Sequence, residues 1–446
     1  MSEIPMKQFE ALQARVNKNV TLLTLLVFYG SYPVQYLVNI TIARALGPAN
    51  YGDFSVSRSV ATLAATVSLL GLDMAALHFL PVYLKRGALG SAKGFIYAAL
   101  LAVIVTGLVV SGLGAVITEI VRTLMPGEEH PAMIAMYWVL PMSLGLLTLS
   151  FVGGHQHIFL SSLLGWVVAP LITAILLGVF FLFGGTLTDF RAVWLVILAQ
   201  ILLTLVAVWL LWLIWRQKYL QVAPQYELKL WAAAILPYLL FAIVLNAQAQ
   251  SSMIILEAFN PSEAEVGIYA AVQQVANLPV LALSAITMVA MPRLSVLLEG
   301  KEAEAFQQQL RVYLWILTAF GVGSLLVFMI WGHFLLDLFG GDFQSGHTAL
   351  VILGAGYLIA LVGGLVVPLL QIREENSSVN WTMLALMVLN VALTFLLAPR
   401  YGAIGAATAY TLTVVVITTI QLILLQRKTG IPYLRSMVGP IKKARL

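Results

Sequence analysis

The sequence contains no cysteine and few charged residues, and each of these absences narrows what the protein can be. Without cysteine, disulfides, thiol catalysis and Cys-ligated metal sites are excluded. Only 10% of the 446 residues are charged, whereas 61% are hydrophobic, and the mean hydropathy is +0.96. These values lie far outside the range of soluble domains, so the sequence predicts a membrane protein.

Motifs for nucleotide or hydrolytic chemistry are also missing from the sequence. There is no G-x-x-x-x-G-K-[ST] loop, no H-E-x-x-H, no G-x-S-x-G and no dinucleotide-binding fingerprint. ATP-driven transport by this chain alone is therefore excluded. His155 and His157 lie in a predicted turn without a nearby third ligand, so no metal is expected. We predict a transporter without a cofactor, not an enzyme.

Long apolar runs fill most of the chain. Most have 20 or more residues, which is too long for barrel strands, and helices are the remaining way to pair every backbone group inside a bilayer. The sequence predicts an all-α polytopic membrane protein with about twelve transmembrane helices. The predicted spans are 20–46, 53–80, 94–120, 131–153, 158–184, 191–215, 229–256, 264–291, 308–332, 348–371, 378–398 and 402–426.

The positions of Lys and Arg predict the orientation of these helices. With the N-terminus placed inside, 19 of the 24 Lys and Arg residues fall in cytoplasmic segments, four fall outside and Arg58 lies within a span. Both termini are therefore predicted to be cytoplasmic, in a multi-pass protein of the cell inner membrane. The basic balance then reflects topology, and no nucleic-acid partner is expected.

A polar interval near the middle divides the predicted helices into two sets of six. A faint repeat supports this division, because Leu46-Gly47-Pro48 before Tyr51-Gly52 resembles Phe259-Asn260-Pro261 before Val266-Gly267. A chance match between short hydrophobic hairpins is the alternative. Two pseudo-symmetric six-helix lobes suggest a transporter with alternating access. The predicted segments are a cytoplasmic N-terminus 1–19, an N-lobe 20–215, a linker 216–228, a C-lobe 229–426 and a basic tail 427–446.

Polar side chains concentrate on the first, second, seventh and eighth predicted helices. In the first helix they recur at i, i+3, i+4 and i+7 and so share one face. Buried polar groups in a membrane normally face the protein interior or a wet cavity, although hydrogen bonding between helices would also explain them. The candidates are Tyr32, Gln35, Tyr36 and Asn39 in the first helix, Asn246 and Gln250 in the seventh, and Gln273 and Asn277 in the eighth.

Three charged residues lie in or near the predicted spans. Arg58 is about 8 Å into the second helix, where its guanidinium could pair with a pyrophosphate or reach the outer interface. Arg44, near the outer end of the first helix, is either a second residue that binds the pyrophosphate or a loop residue. Asp73, in the inner half of the second helix, is a candidate for ion or proton coupling. A structural salt bridge or a hydrated vestibule is the alternative for Asp73.

Several segments resemble the polysaccharide transporter and oligosaccharide flippase family, within the superfamily that contains multidrug and toxic compound extrusion transporters. The resemblance covers nearly the whole chain. The segments that carry it are Ala43-Arg44-Ala45-Leu46-Gly47-Pro48, Gly71-Leu72-Asp73, Leu338-Phe339-Gly340, and Asn390 followed by Pro399-Arg400-Tyr401-Gly402-Ala403-Ile404-Gly405-Ala406-Ala407.

This resemblance implies two six-helix lobes that move an undecaprenyl-pyrophosphate-linked oligosaccharide to the periplasmic leaflet for a surface polysaccharide such as O-antigen or exopolysaccharide. Implied partners are the lipid-linked oligosaccharide, membrane lipids, and polysaccharide polymerase and chain-length proteins. Related lipid II flippases carry several cavity arginines, whereas here only Arg58, together with Arg44, is placed similarly. The expected substrate ligands are Arg58, Arg44, Tyr32, Gln35, Asn39, Asn246, Gln250, Gln273 and Asn277.

Two other functions stay open at this point. A cation-coupled multidrug exporter of the same superfamily would need an acidic residue deep in its cavity, and Asp73 is the clearest intramembrane acid. A membrane glycan polymerase or ligase would need a sizeable outer loop with arginines and a catalytic acid or histidine, and the predicted outer loops are short.

Overall fold

A computed structural model describes residues 6–124, 130–259, 262–300, 302–373, 376–431 and 433–438 of the protein. These residues form helices, turns and short connections, with no strand among them, which confirms the predicted all-α membrane fold. Asn260 and Pro261 of the predicted repeat lie outside the described residues, as do the ends of the two predicted terminal segments.

Membrane-spanning helices dominate the described part of the chain. Nine helices there are long and apolar enough to cross a membrane, and a tenth span results if Leu26–Leu69 and Leu72–Lys85, bent by 44°, count as one. Leu26–Leu69 and Ser378–Thr429 each contain one non-helical residue, Gly47 and Gly402, respectively. Dividing both helices at these glycines gives twelve segments. The number of spans and their orientation stay predictions.

The chain divides into two compact units, and two helices contribute to both. The first unit comprises Met1–Ile42 and Val60–Ile243, and the second comprises Ala43–Ser59 and Val244–Leu446. The long helix α1, Met6–Leu69, and helix α8, Leu228–Phe259, both cross this division.

The first unit is built around an aromatic core. Phe79, Phe95, Phe151 and Trp231 come from four different helices and pack within one buried cluster. Between α1 and α8 in sequence, its helices are α2 Leu72–Arg86, α3 Leu89–Leu124, α4 Met136–Gly154, α5 Ile158–Leu163, α6 Ala169–Leu182 and α7 Asp189–Lys218, with a 3-10 turn Pro131–Met133 and a π-helical stretch Leu164–Val168.

The second unit has a core dominated by leucine. Leu294, Leu314, Leu361 and Leu369 are nearly inaccessible to solvent and belong to one cluster of buried side chains. After α8, its helices are α9 Glu263–Ala276, α10 Leu278–Glu299, α11 Ala303–Asp337, α12 His347–Gly363, α13 Val366–Ile372, α14 Asn376–Thr429 and α15 Arg435–Val438, with a 3-10 turn Gly341–Gly346.

The predicted second span is broken between α1 and α2. Leu70 and Gly71 both have positive φ, of 53° and 73°, so the helix cannot continue through them. A Cβ at Gly71 would lie 2.6 Å from the backbone nitrogen of Leu239 in α8. Position 71 therefore requires glycine for two reasons. Glycine adopts the left-handed conformation without strain, and its lack of a Cβ lets α8 approach closely. The break sets the start of α2, and Asp73 lies in its first turn.

A second break occurs inside the sequence motif around Pro399. Gly402 has φ 55° and ψ −134°, which interrupts α14 and leaves amide groups without helical partners. The Glu265 side chain, on α9, accepts a 2.8 Å hydrogen bond from the backbone N–H of Ala403. This carboxylate caps the helical segment that restarts after Gly402. The motif is thus a helix break with a cap supplied from another helix.

Candidate functional site

The second unit contains a polar cavity of about 470 Å³. It lies within this unit alone, and side chains from the α1 segment, α8, α9, α10, α12 and α14 reach it. The lining residues are Arg58, Leu245, Gln248, Ala249, Gln250, Ser252, Met253, Tyr269, Ala270, Gln273, Gln274, Asn277, Val280, Tyr357 and Tyr410.

Local helix structure explains how the α9 side of the cavity forms. Gln273 and Asn277 are four residues apart and therefore project from the same face of a helix. Helix α9 ends at Ala276 and α10 begins at Leu278, with Pro279 in its first turn. Proline is suited to a first turn because it has no N–H to donate. Asn277 thus lies at a helix junction, a detail that the predicted continuous span 264–291 does not contain.

Hydrogen bonds hold part of this lining in place. Ser59 Oγ donates to Gln250 Oε1 over 2.8 Å, and Gln273 Nε2 donates to the Ala249 carbonyl over 3.3 Å. Ser59 occupies the oxygen of Gln250, which is an acceptor, whereas the amide nitrogen is a donor and can still bind a ligand.

Three tyrosines complete the cavity, and sequence reasoning did not select them. Tyr269 is 1% exposed and Tyr357 is 7% exposed, and the rings of Tyr357 and Tyr410 lie 5.3 Å apart. Each offers a hydroxyl and an aromatic face. Such residues also fill ordinary cores, so sequence alone gives no signal that separates these three from the other tyrosines.

A buried polar layer adjoins the cavity through Ser252. Asn390 Nδ2 donates to Ser252 Oγ over 3.3 Å, and Ser252 Oγ lies 3.4 Å from Thr394 Oγ1. Asn390 and Thr394 are fully buried. Asn390, part of the sequence motif, therefore supports the wall of the cavity without lining it.

The charge of the lining comes from one residue. Arg58 is half-buried, and none of the described lining residues is acidic. The remaining polar groups are amides, hydroxyls and backbone. This combination is suited to an anionic or neutral polar ligand and disfavours a cationic one.

Two predicted ligands of the second unit lie elsewhere. Asn246 is half-buried on α8 and is not among the lining residues. Arg44 Nε donates to the Leu338 carbonyl over 2.7 Å, and its Nη2 donates to the Asp337 carbonyl over 3.1 Å. These carbonyls end α11, where a cation is favoured by the helix dipole.

The predicted polar face of the first helix, Tyr32, Gln35, Tyr36 and Asn39, lies on α1 in the first unit, and we call it the α1 stripe. Gln35 Nε2 donates to Ser31 Oγ over 3.2 Å and to the Trp166 carbonyl over 3.4 Å, while Asn39 Nδ2 donates to the Gln35 carbonyl over 2.8 Å. Tyr32 packs edge-on against Phe28 with ring centroids 5.3 Å apart. The amide groups of Gln35 and Asn39 thus donate to partners inside the first unit.

Asp73 also lies in the first unit, in the first turn of α2. Its Oδ1 atom is buried and has no hydrogen-bond partner among the described residues. A helix N-terminus favours a negative charge, whereas burial without a hydrogen-bond partner disfavours one.

Comparison with known proteins places the chain in a family. The profile of the family described as polysaccharide biosynthesis protein matches residues 16–298. The chain is also 27% identical to the capsular polysaccharide biosynthesis protein CapF of Staphylococcus aureus over 149 residues, which is 33% of this chain and 37% of CapF. It therefore spans little more than a third of the length of that relative.

Solved structures show where the fold recurs. An inward closed conformation of the lipid II flippase MurJ has a TM-score of 0.70 and 13% identity, covering 94% of this chain and 90% of MurJ. An inward-facing multidrug resistance MATE family transporter of the MOP superfamily has a TM-score of 0.68 and 13% identity, covering 90% of this chain and 96% of that one. The chain thus shares the fold of these transporters and belongs to the polysaccharide biosynthesis protein family.

Proposed function

We propose that the protein is a flippase that moves a lipid-linked oligosaccharide, carried on undecaprenyl pyrophosphate, from the cytoplasmic to the periplasmic leaflet of the inner membrane. Family membership and the transporter fold support the general activity. The polar cavity of the second unit supports the choice of cargo, and it is the observation on which the proposal depends.

The cavity offers two kinds of recognition. Arg58 supplies one guanidinium, which pairs well with phosphate oxygens in two-pronged geometry. The amides of Gln250, Gln273 and Asn277 offer donors and acceptors that match sugar hydroxyls. We assign Arg58 to the pyrophosphate and the amides to the first sugars, while the polyprenyl tail stays in the lipid.

The other predicted residues receive lesser roles in this proposal. Tyr32, Gln35 and Asn39 contribute a smaller share of the binding energy, because their helix and its neighbours already engage the amide donors. Arg44 holds the end of α11. Asp73, with its buried Oδ1, is our candidate for coupling to an ion or proton gradient. Polysaccharide polymerase and chain-length proteins are the expected partners in the membrane.

The proposal can be tested with purified protein in liposomes. A fluorescent undecaprenyl-pyrophosphate-linked saccharide would be loaded into one leaflet, and its appearance in the other leaflet would be followed with an impermeant quencher. Removing a charge-assisted hydrogen-bonding group costs about 1.5 to 3 kcal/mol, so we expect Arg58→Ala to slow transfer about 10- to 100-fold. Arg58→Lys keeps the positive charge but loses the guanidinium that binds phosphate in bidentate geometry, so its transfer rate should be intermediate.

Arg191→Ala is the matched control. Arg191 is exposed in the first turn of α7, and its Nη1 donates to the carbonyl of Thr186, just before this helix, over 2.7 Å. This variant should transfer the glycolipid at the wild-type rate. An unchanged rate in Arg58→Ala would exclude the phosphate clamp. A wild-type protein that moves a cationic dye but not the glycolipid would favour the multidrug exporter.

A further inference from the structure

Another cavity lies in the first unit, at the end where α2, α4 and α7 terminate. Its volume is about 420 Å³. We call it the lysine pocket, and its lining residues are Pro81, Val82, Leu84, Lys85, His155, Gln156 and Lys218. Two cationic side chains from different helices thus reach one space.

None of the described residues that line the lysine pocket is acidic. Lys85 and Lys218 are exposed, and neither pairs with a carboxylate among the residues that the structure describes. Both belong to last turns of helices, which favour cations. Two like charges that share a pocket without a counter-ion are stabilised when an anion binds between them.

The base of the pocket is neutral. His155 Nδ1 lies 2.7 Å from the Phe151 carbonyl, which can only accept, so this nitrogen carries the proton and donates. Nε2 lies 2.7 Å from the Tyr219 hydroxyl, which donates to it. Burial also lowers the pKa of His155 below its usual value. The positive charge of the pocket therefore comes from the two lysines.

The walls and surroundings of the pocket indicate a lipid. Pro81, Val82 and Leu84 give it an apolar side next to the cations. Trp212 lies near the end of α7, with its ring 5.9 Å from the Arg216 guanidinium carbon. Tryptophan with nearby Lys and Arg is typical of the level of lipid headgroups. An anion that binds here can place a phosphate on the lysines and its carbon chains against the apolar side.

We propose that the lysine pocket binds the phosphodiester headgroup of an anionic membrane lipid. Basic pockets between transmembrane helices on the cytoplasmic side hold such headgroups in other membrane proteins. The proposal rests on the pocket alone and does not depend on the proposed transport activity. Free inorganic phosphate shares the charged group but lacks the chains that would contact the apolar side.

Binding can be measured on the full-length protein in a neutral detergent. Short-chain phosphatidylglycerol, short-chain phosphatidylcholine and sodium phosphate would each be titrated, with native mass spectrometry and thermal melting as readouts. We expect the wild type to prefer phosphatidylglycerol over phosphatidylcholine about tenfold. The double variant Lys85→Gln/Lys218→Gln should lose this preference and melt at the wild-type temperature without lipid, because both ammonium groups are exposed.

Two further variants keep the test decisive. Lys85→Arg/Lys218→Arg retains the charge and should retain the preference. Lys229→Gln/Arg427→Gln removes two exposed charges outside the pocket and should also retain it. A preference that survives in the Gln double variant, or is lost equally in this control, would overturn the assignment. Equal stabilisation by sodium phosphate at matched concentration would overturn the lipid as the ligand.

Discussion

The α1 stripe of the first unit and the polar cavity of the second unit are built from the same residue types, but they use them differently. In the stripe, Gln35 and Asn39 donate to Ser31 and to backbone carbonyls of their own unit. In the cavity, Gln273 also donates to a backbone carbonyl, but Ser59 holds Gln250 by its oxygen, and the amide nitrogen of Gln250 can still donate to a ligand. Helical spacing predicts that a polar face avoids lipid, but the partners of its amides decide whether the face can bind anything.

The largest difference should appear when the cavity amides are removed together. Three net hydrogen bonds of about 1 kcal/mol each correspond to a loss of about 100-fold in transfer rate, which we expect for Gln250→Leu/Gln273→Leu/Asn277→Leu. The liposome assay would measure the rate. The matched double variant Gln35→Leu/Asn39→Leu of the stripe should lose far less. If the two sets lose equally, the contrast between the regions is wrong.

A smaller effect is expected from the serine that orients Gln250. Ser59→Ala removes the hydrogen bond to Gln250 Oε1, and we expect a loss of about fivefold in transfer, for a bond of about 1 kcal/mol. Ser57→Ala is the control within the same helix, because Ser57 Oγ donates to the carbonyl of Asp53, in its own helix, over 2.7 Å. That variant should transfer normally, and an equal loss in both would assign the effect to the helix rather than to Gln250.

The smallest effect on transport should come from the stripe. Gln35→Leu breaks two hydrogen bonds, to Ser31 and Trp166. At the average of about 0.6 kcal/mol for one such bond in a membrane, we expect it to destabilise the fold by about 1.2 kcal/mol. Transfer should stay within about twofold of wild type, since the cavity is untouched. Denaturant titration in mixed micelles would give the stability. A transfer defect as large as that of the cavity variant would instead indicate that Gln35 binds the substrate.

Hydropathy and helical periodicity predict the fold class well in this chain, because they report directly on the solvent around each helix. Hydropathy and periodicity do not predict where the helices break. The break at Leu70 and Gly71 depends on the close approach of α8, and the junction at Asn277 depends on how α10 restarts. The π-helical stretch around Trp166, to whose carbonyl Gln35 donates, likewise leaves no trace in an apolar sequence.

The sequence indicates some of the residues that line the cavity. It does not indicate the others, because their positions also depend on contacts between distant helices. Arg58, Gln250, Gln273 and Asn277 were selected as intramembrane polar residues, and the structure brings these four to one cavity. Arg44 was selected on the same ground, but its guanidinium meets carbonyls at the end of α11, almost 300 residues away in sequence. Tertiary partners at such distances cannot be read from local spacing.

The capped break in α14 makes the signature motif a property of two helices rather than one. Gly402 interrupts the helix, and Glu265 of α9 accepts the amide hydrogen of Ala403 that the interruption exposes. A residue that continued the helix at position 402 would remove the need for the carboxylate. Positions 265 and 402 should therefore change together among related chains, and their covariation would trace the pairing of α9 with α14 through sequences alone.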